Sequence, residues 1–346
     1  MLNNKQLNEI KQHLEKSQNP LFFFDNDPDG LCSFLLLRKY LGRGKGIAIK
    51  SFPDLDAGYF RKVEELNADY IFVLDKPIIS KNFLKEAEEH NIPLVWIDHH
   101  DIQGEIPDFV YYYNPFNGKD KSNEPVTYWC YQITKKPEDL WIAVVGCISD
   151  KFFPEFYTEF QEEYSELSAP YKDAFDIFYK SDIGKIAKIF SFALKDRTTN
   201  VINMLRFLIK TTSPYDVLRE SSQNFSMHQR FKHIDSRYQK LLKKAEFIEE
   251  DTEKILFFQY GGDLSISADL SNELSYKFPK KIIVVVYVAG AKANISVRGK
   301  NVRSLILNSI EELDNATGGG HQDAVGAQVK IEDLERFREN LIKLAE

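Results

Sequence analysis

The chain has 346 residues, and its 45 lysines and arginines against 52 aspartates and glutamates give a formal net charge of −7. This length predicts about two domains, and 43% hydrophobic with 28% charged residues excludes a disordered or collagen-like chain. The acidity also excludes attraction of nucleic acid by bulk charge, so a local site must bind any phosphate. No apolar run approaches the roughly 20 residues of a membrane span, and no signal peptide is recognisable. We therefore expect a cytoplasmic protein that binds no membrane.

Short apolar runs alternate with amphipathic segments in the first part of the chain. Their order predicts a helix at 3–17, a strand at 21–25, a helix at 31–42, a strand at 47–52, a helix at 57–67, a strand at 70–75, a helix at 80–90, strands at 93–98 and 110–114, and a helix at 124–134. Continuous apolar strands that alternate with helices indicate a parallel sheet with helices on both faces. The predicted fold class is therefore α/β.

The rest of the chain predicts a helical region and then a second, smaller α/β domain. A buried helix at 139–150 is followed by a helical region at 152–225 that is rich in Phe and Tyr, and by a long charged connector helix at 226–250. The later elements are strands at 254–260, 281–290, 291–299 and 324–331, helices at 266–278, 302–313 and 332–345, and a glycine-rich turn before residue 324. The predicted domains are 1–225, the connector 226–250, and 251–346.

Acidic residues fall where the predicted strands end. Asp25, Asp75 and Asp98 each close a strand, and Asp150 closes a helix. Open parallel sheets bind ligands at the edge where the strands end, so we expect these acids to meet there. A calcium loop is an alternative for residues 25–30, but a strand precedes them and Leu36 stands where an EF-hand needs Glu. Because like charges repel, a cation such as Mn²⁺ or Mg²⁺ best explains the grouping.

Five segments in this order resemble the motifs of the DHH phosphoesterase superfamily. They are DNDPDG at 25–30, VLDKP at 73–77, WIDHHD at 96–101, GCISD at 146–150 and, for the DHH-associated domain, TGGGHQDAVGAQV at 317–329. The resemblance covers roughly 21–150 and 255–345. It implies a DHH domain with a helical insert, followed by a smaller α/β substrate-binding domain.

The resemblance also implies the roles of individual residues. Six would hold two Mn²⁺ ions, with Mg²⁺ as the alternative: Asp25, Asp27, Asp29, Asp75, His99 and Asp150. Asp75 would bridge the ions and act in catalysis with His99, His100 and Asp98. Asp98 would accept a hydrogen bond from a ligand imidazole. Whether His100 binds metal or the scissile phosphate stays open, as does which ion each aspartate at 25–29 binds.

Further residues are implied to bind the substrate. Glycines without side chains can offer backbone N–H groups to an anion, and arginine can grip a phosphate with two hydrogen bonds. The predicted substrate-binding residues are His100, Arg298, Arg303, Gly318, Gly319, Gly320 and His321.

The first acidic motif, with aspartate at 25, 27 and 29, resembles that of RecJ-like nucleases. We therefore predict a Mn²⁺-dependent exonuclease for single strands, or a phosphodiesterase for short oligonucleotides, with DNA or RNA as substrate. Its role would lie in DNA repair, DNA replication or RNA degradation. One alternative is hydrolysis of a small nucleotide, such as a cyclic dinucleotide or phosphoadenosine phosphate. Another is a replication or repair factor that docks on a partner protein through the helical region. Cleavage polarity stays open, and so does the choice between monomer and homodimer.

Overall fold

The apolar runs of the first part of the chain form the predicted parallel sheet. The computed structural model describes residues 1–51, 54–101, 104–117, 121–249 and 254–345. The elements up to residue 218 are α1 (Asn4–Lys16), β1 (Pro20–Asp25), α2 (Pro28–Leu41), β2 (Lys45–Ile49), β3 (Asp54–Leu55), α3 (Arg61–Glu65), β4 (Tyr70–Leu74), β5 (Ile78–Ile79), α4 (Lys81–Glu89), β6 (Leu94–Ile97), β7 (Val110–Tyr113), α5 (Val126–Thr134), α6 (Leu140–Ser149), α7 (Tyr157–Glu163), α8 (Ala174–Lys180), α9 (Asp182–Leu194), α10 (Thr198–Leu208) and α11 (Pro214–Leu218).

The sheet has the strand order β2-β1-β4-β6-β7, and all its neighbouring strands are parallel. Successive side chains of a strand point to opposite faces. Phe22 and Phe24 of β1 accordingly pack into one core cluster, with α2, α5 and α6, while Leu21 and Phe23 pack into another on the opposite face. Because both faces are buried, the central strands β4 and β6 carry apolar residues at every position, and the predicted α/β class is confirmed.

Helix α6 is the buried helix that the sequence predicts at 139–150. Its residues are buried over the whole length from Leu140 to Ile148. A Cβ built on Gly146 would lie 2.2 Å from Oγ1 of Thr127 in α5, so only glycine allows α5 and α6 to pack this closely. This contact holds the first turn of α5 and the end of α6 in one place.

Three predicted elements of this unit differ from the structure. The helix predicted at 31–42 is α2, which begins at Pro28. The strand predicted at 47–52 is β2, which ends at Ile49, and Phe52 lies outside the described residues. The helix predicted at 57–67 is a 3₁₀ turn at Ala57–Tyr59 followed by the short helix α3. The carboxylate of Asp56 accepts a hydrogen bond from Gly58 N at 2.7 Å. Such local side-chain bonds compete with a regular α-helix, so the helix starts late.

The second part of the chain builds a separate mixed sheet. Contacts divide the chain into the units Met1–Lys232 and His233–Glu346. The elements from residue 225 onward are α12 (Phe225–Glu249), β8 (Ile255–Gly261), α13 (Ser267–Lys277), β9 (Ile282–Ala289), β10 (Lys292–Arg298), α14 (Val302–Ile310), β11 (Thr317–His321), β12 (Ala324–Lys330) and α15 (Leu334–Ala345). The strand order is β11-β12-β10-β9-β8, with β8 and β9 parallel and the other pairs antiparallel.

The connector helix predicted at 226–250 is α12, and the division between the units falls inside it. Glu250, its predicted last residue, lies outside the described residues, as does residue 251, the predicted start of the second domain. Within the described ranges, no helix is both long and apolar enough to cross a bilayer.

The prediction of a glycine-rich turn before residue 324 is wrong for residues 317–321, which form the edge strand β11. Gly319 pairs with Gly326 of β12 in an antiparallel register. The turn itself lies at residues 322–323. A Cβ at position 318 would lie 2.8 Å from Cδ1 of Ile310 in α14, so glycine lets that side chain pack closely here. Pairing with β12 and close packing of α14 therefore override the usual preference of glycine for turns.

Candidate metal centre

The predicted acids meet at one edge of the N-terminal sheet. Strands β1, β4 and β6 are neighbours in this sheet. Asp25 is the last residue of β1, and Asp75 and Asp98 directly follow β4 and β6. Asp75 N donates to Ile97 O at 2.9 Å, which holds Asp75 in a left-handed conformation with φ of +58°. Non-glycine residues rarely adopt this conformation, and such strain concentrates at functional sites.

His99 lies between two of these carboxylates. Its Nε2 is 3.3 Å from Oδ1 of Asp75 and 3.2 Å from Oδ2 of Asp150. His99 and Asp75 are buried, whereas the Asp150 side chain is 29% exposed. Asp150 comes from the end of α6, so the buried helix brings it to the sheet edge. Burial lowers the pKa of His99, but contact with Asp150 and Asp75 outweighs this and raises the pKa well above its usual value.

Metal-ligating atoms converge in two overlapping groups among the described residues. Asp29, His99 and Asp150 each offer a ligand atom, and these atoms lie within 4.8 Å of one another. Asp75, His99 and His100 do the same. His99 belongs to both groups, so four of the six side chains predicted to hold metal surround one small region: Asp29, Asp75, His99 and Asp150. The other two, Asp25 and Asp27, belong to neither group.

The donor atoms of this region fit a hard or borderline divalent cation. In the part of the chain that the structure describes, Oδ1 of Asp75 and both ring nitrogens of His99 are buried and make no hydrogen bond of good geometry, although Nε2 lies 3.3 Å from that Oδ1. Buried polar atoms in native proteins nearly always have a partner, so such orphans call for an explanation. Carboxylate oxygen with imidazole nitrogen is a donor set that Mn²⁺ accepts. A cation at this point would take Oδ1 of Asp75 and one ring nitrogen of His99 as ligands.

The charges of the acids also favour a bound cation. Burial raises the pKa of Asp27 to about 8, and the negative charges of Asp25 and Asp150 add to the shift. Burial and the charge of Asp150 raise the pKa of Asp29 to about 6. The pKa of Asp75 is also well above its usual value, because of burial and of the charges of Asp29 and Asp27. These acids resist ionising together, and a nearby cation would reverse that resistance.

His100 is oriented by Asp98. Oδ1 of Asp98 lies 2.8 Å from Nδ1 of His100, and Oδ2 accepts from the backbone N of His100 at 3.2 Å. The backbone O of His100 accepts a hydrogen bond from Asn114 at 2.9 Å. Burial lowers the pKa of the His100 ring, but Asp98 outweighs it and the net shift is upward. The imidazole that Asp98 supports is thus that of His100.

Asp27 and Asp29 also stabilise helix ends. Oδ1 of Asp27 accepts from Gly30 N at 2.9 Å and caps α2. The buried carboxylate of Asp29 accepts from Val126 N at 2.9 Å and from Thr127 N at 2.8 Å, at the first turn of α5. The structural bonds of Asp29 lie between residues about a hundred positions apart, and sequence reasoning missed them.

Sequence reasoning also missed Lys76. Its Nζ lies 2.9 Å from Oδ1 of Asp25 and donates to Ser51 O at 3.0 Å, and the residue is 1% exposed. A lysine directly after the strand-end acid Asp75 is the signal that could have pointed to it. Asp25, predicted as a metal ligand, therefore has an ammonium group as its neighbour.

The predicted substrate-binding residues of the second unit lie around the β11–β12 hairpin. Arg298 and His321 both pair with Ala324, from opposite sides of β12. The Arg298 guanidinium is fixed, because its Nε donates to Oδ1 of Asn272 at 2.6 Å. Arg303 N donates to Gln322 O at 3.1 Å, which brings the start of α14 to the same hairpin. Gly318, Gly319 and Gly320 are exposed along β11. Their binding of substrate stays a prediction.

Comparison with known proteins gives two family matches and several solved structures. The N-terminal domain of the DHH family matches residues 21–148, and the DHHA1 domain matches residues 252–346. No curated protein matches the chain by sequence. RecJ from Thermus thermophilus in complex with Mn²⁺ is similar with a TM-score of 0.71 and 15% identity, over 99% of this chain and 55% of that chain. The chain thus spans about half the length of that RecJ.

Two further solved structures match this chain over almost the whole of their own length. An exonuclease RecJ bound to manganese has a TM-score of 0.67 and 16% identity, over 100% of this chain and 96% of that chain. PggH, a pGpG-specific phosphodiesterase from Vibrio, has a TM-score of 0.52 and 13% identity, over 95% of this chain and 99% of that chain. At these identities the likeness shows the fold.

Proposed function

The chain belongs to the DHH superfamily of phosphoesterases, and from this membership we propose that it is a Mn²⁺-dependent phosphodiesterase for single-stranded nucleic acid. It would remove nucleotides from the end of a DNA or RNA strand, or cleave short oligonucleotides. The observation that carries the proposal is the convergence of ligand atoms from Asp29, Asp75, His99 and Asp150. Asp75 and His99 contribute buried atoms that make no hydrogen bond of good geometry. Such a set of donors is costly to build unless it holds a cation.

The residues at the sheet edge would have two roles, metal binding and phosphate binding. Asp29, Asp75, His99 and Asp150, joined on the family's pattern by Asp25 and Asp27, would hold two divalent ions. These ions would supply an activated water and would offset the charge of the phosphate. His100 would donate a hydrogen bond to a phosphate oxygen, since Asp98 fixes its ring and favours its protonated form.

Single-stranded nucleic acid is favoured over pyrophosphate by the first motif. It carries aspartate at 25, 27 and 29, as in RecJ-like nucleases. The manganese-bound exonuclease RecJ shares the fold over the full length of this chain. Arg298, Arg303, His321 and the exposed glycines of β11 are proposed to bind the strand. The net charge of −7 makes such a local group of donors necessary.

The test is a time course of hydrolysis on DNA and RNA single strands labelled at the 5′ or the 3′ end, with Mn²⁺ and with EDTA. We expect release of nucleotides from one end in Mn²⁺ only. Asp75→Asn should lower the rate by at least about a hundredfold, as loss of a ligand removes bound ion. The matched control is Asp173→Asn, an exposed cap of α8 where Asn caps equally well. A wild-type rate in Asp75→Asn would contradict the proposal.

The second candidate is hydrolysis of a small nucleotide, such as a cyclic or linear dinucleotide. The pGpG-specific phosphodiesterase PggH shares the fold over 95% of this chain. Chain length separates the two candidates, because a dinucleotide enzyme loses activity on longer strands. Rates on two-, five- and twenty-nucleotide substrates therefore decide between them. A docking role of the helical region 152–225 in replication or repair is a separate prediction. Because this region packs into the main core, pull-down with substitutions of its exposed apolar residues Ile202 and Tyr215 would test it.

A further inference from the structure

Lys76 is a buried lysine beside Asp25, one of the predicted metal ligands. It is 1% exposed and ranks with the largest fully buried side chains of the described residues. Its Nζ lies 2.9 Å from Oδ1 of Asp25. Its backbone is held as well, because Trp96 Nε1 donates to Lys76 O at 2.8 Å. The ammonium group therefore has a fixed place beside the first acid of the centre.

Placing an ammonium group there has a physical cost. Removing a charged group from water is unfavourable unless a partner of opposite charge compensates for it. The Asp25 carboxylate is that partner, and Ser51 O accepts a second hydrogen bond from the same Nζ at 3.0 Å. Lys76 and Asp25 thus neutralise one another, and removing either would leave a charge in a poor environment.

The other acids are arranged differently from Asp25. Asp29, Asp75, His99 and Asp150 take part in the two groups whose ligand atoms converge, and Asp25 belongs to neither group among the described residues. Asp27 is likewise outside both groups, and its Oδ1 accepts from Gly30 N. The converging donors therefore do not include Asp25, which forms an ion pair with Lys76 instead.

We propose that the Lys76 ammonium takes the place of a second cation beside Asp25, so that the centre binds one divalent ion tightly and another only weakly. The tight ion belongs to Asp29, Asp75, His99 and Asp150. The inference rests on the proposed metal-dependent function and departs from the site for two ions that the resemblance implies. Lys76 is in this account a positioning residue, which acts by holding Asp25.

Metal stoichiometry tests the inference without any substrate. Mn²⁺ is titrated calorimetrically into the metal-free, full-length wild-type protein and into Lys76→Met, which has a similar shape and no charge. We expect one tight ion per chain in the wild type. Lys76→Met should bind a second ion at least about tenfold more tightly than the wild type does, since Asp25 loses its counter-ion. Equal stoichiometry and affinity in the two proteins would overturn the inference.

Two further variants show whether the gain arises at Asp25. Lys76→Met combined with Asp25→Asn should lose the second tight ion. Lys62→Met removes a lysine that is 42% exposed, and it should bind Mn²⁺ as the wild type does. A gain of a second ion in Lys62→Met, or its persistence in the double variant, would contradict the proposed role of Lys76.

A measurement on the wild type alone covers the case in which Lys76→Met does not fold. Electron paramagnetic resonance at two Mn²⁺ per chain should show isolated ions rather than an exchange-coupled pair. A coupled pair would overturn the inference while leaving the proposed function intact. Absence of any Mn²⁺ binding would overturn both. One tight ion without phosphodiesterase activity would support the inference and count against the function alone.

Discussion

Gly30 is the residue that allows helix α2 to begin directly against strand β1. A Cβ built at this position would lie 2.6 Å from the backbone O and 2.7 Å from the backbone N of Asp25. These are backbone atoms, which cannot rotate away as a side chain can. Any larger residue at position 30 would therefore shift the first turn of α2. Asp27 and Asp29 stand at that turn, so the shift would move two predicted ligands.

We expect Gly30→Ala to lower the free energy of unfolding by about 1–3 kcal/mol, the usual cost of forcing extra atoms into a packed site. It should also weaken Mn²⁺ binding at least about tenfold, because ligand geometry is disturbed. Urea unfolding in EDTA and calorimetric titration measure the two effects. The control is Gly326→Ala, where no atom lies within 4 Å of the new Cβ. Equal stability of the two variants would contradict this account of Gly30.

At the level of elements, Asp29 joins helix α2 to helix α5. Its carboxylate comes from the first turn of α2 and accepts from the backbone N of Val126 and Thr127. Thr127 Oγ1 also donates to Asp29 O at 2.9 Å. The first N–H groups of a helix have no partner within the helix, and a carboxylate there is favourable. The same residue therefore serves the fold and the candidate centre.

This double role predicts that Asp29→Ala loses more stability than the removal of an ordinary helix cap. The variant leaves two buried N–H groups without partners, and we expect the free energy of unfolding to fall by about 2–4 kcal/mol even in EDTA. The comparison is Asp173→Ala, because Asp173 accepts from Phe175 N and Asp176 N at the exposed start of α8. That change should cost about 1 kcal/mol. Equal losses of stability in the two variants would contradict the role of Asp29 in joining α2 to α5.

The elements show how far the sequence alone predicts this protein. The acids at the ends of β1, β4 and β6 were predictable, because continuous apolar runs imply a parallel sheet whose strands end at one edge. The pairing of Lys76 with Asp25 was not, since a contact between residues 51 positions apart leaves no periodic signal. Strand β11 was not predictable either, because three consecutive glycines favour a turn until a neighbouring strand supplies hydrogen bonds.

For the whole molecule, the acids of the candidate centre make the free energy of unfolding depend on pH. The pKa of Asp27 is raised to about 8 and that of Asp29 to about 6, against the usual 3.8 in the unfolded chain. The folded, metal-free protein thus keeps protons that the unfolded chain has lost. Stability must therefore fall as the pH rises from about 4 to about 8. The raised pKa values of His99 and His100 act in the same direction above about pH 6.5.

The pKa of Asp150 shifts in the opposite direction. Burial raises its pKa, but contact with His99 outweighs this and the net shift is downward. A lowered carboxyl pKa contributes stability that is complete above the unfolded value of 3.8 and is lost only in stronger acid. Asp150 therefore leaves the trend between about pH 5 and about pH 8 unchanged. A bound cation would favour the ionised acids and remove the penalty at high pH.

We accordingly expect Tm in EDTA to fall by at least about 3 °C between pH 5 and pH 8, as about 1 kcal/mol shifts Tm by 2–4 °C in domains of this size. The rise in Tm on adding Mn²⁺ should be larger at pH 8 than at pH 5, because protons compete with the ion at the lower pH. Thermal unfolding in both conditions across this range is the measurement. Asp27→Asn, which can still cap α2, should flatten the decline in EDTA, while Asp173→Asn should leave it unchanged. A Tm in EDTA that is constant or rises from pH 5 to pH 8 would show that these acids are not held in a repelling cluster.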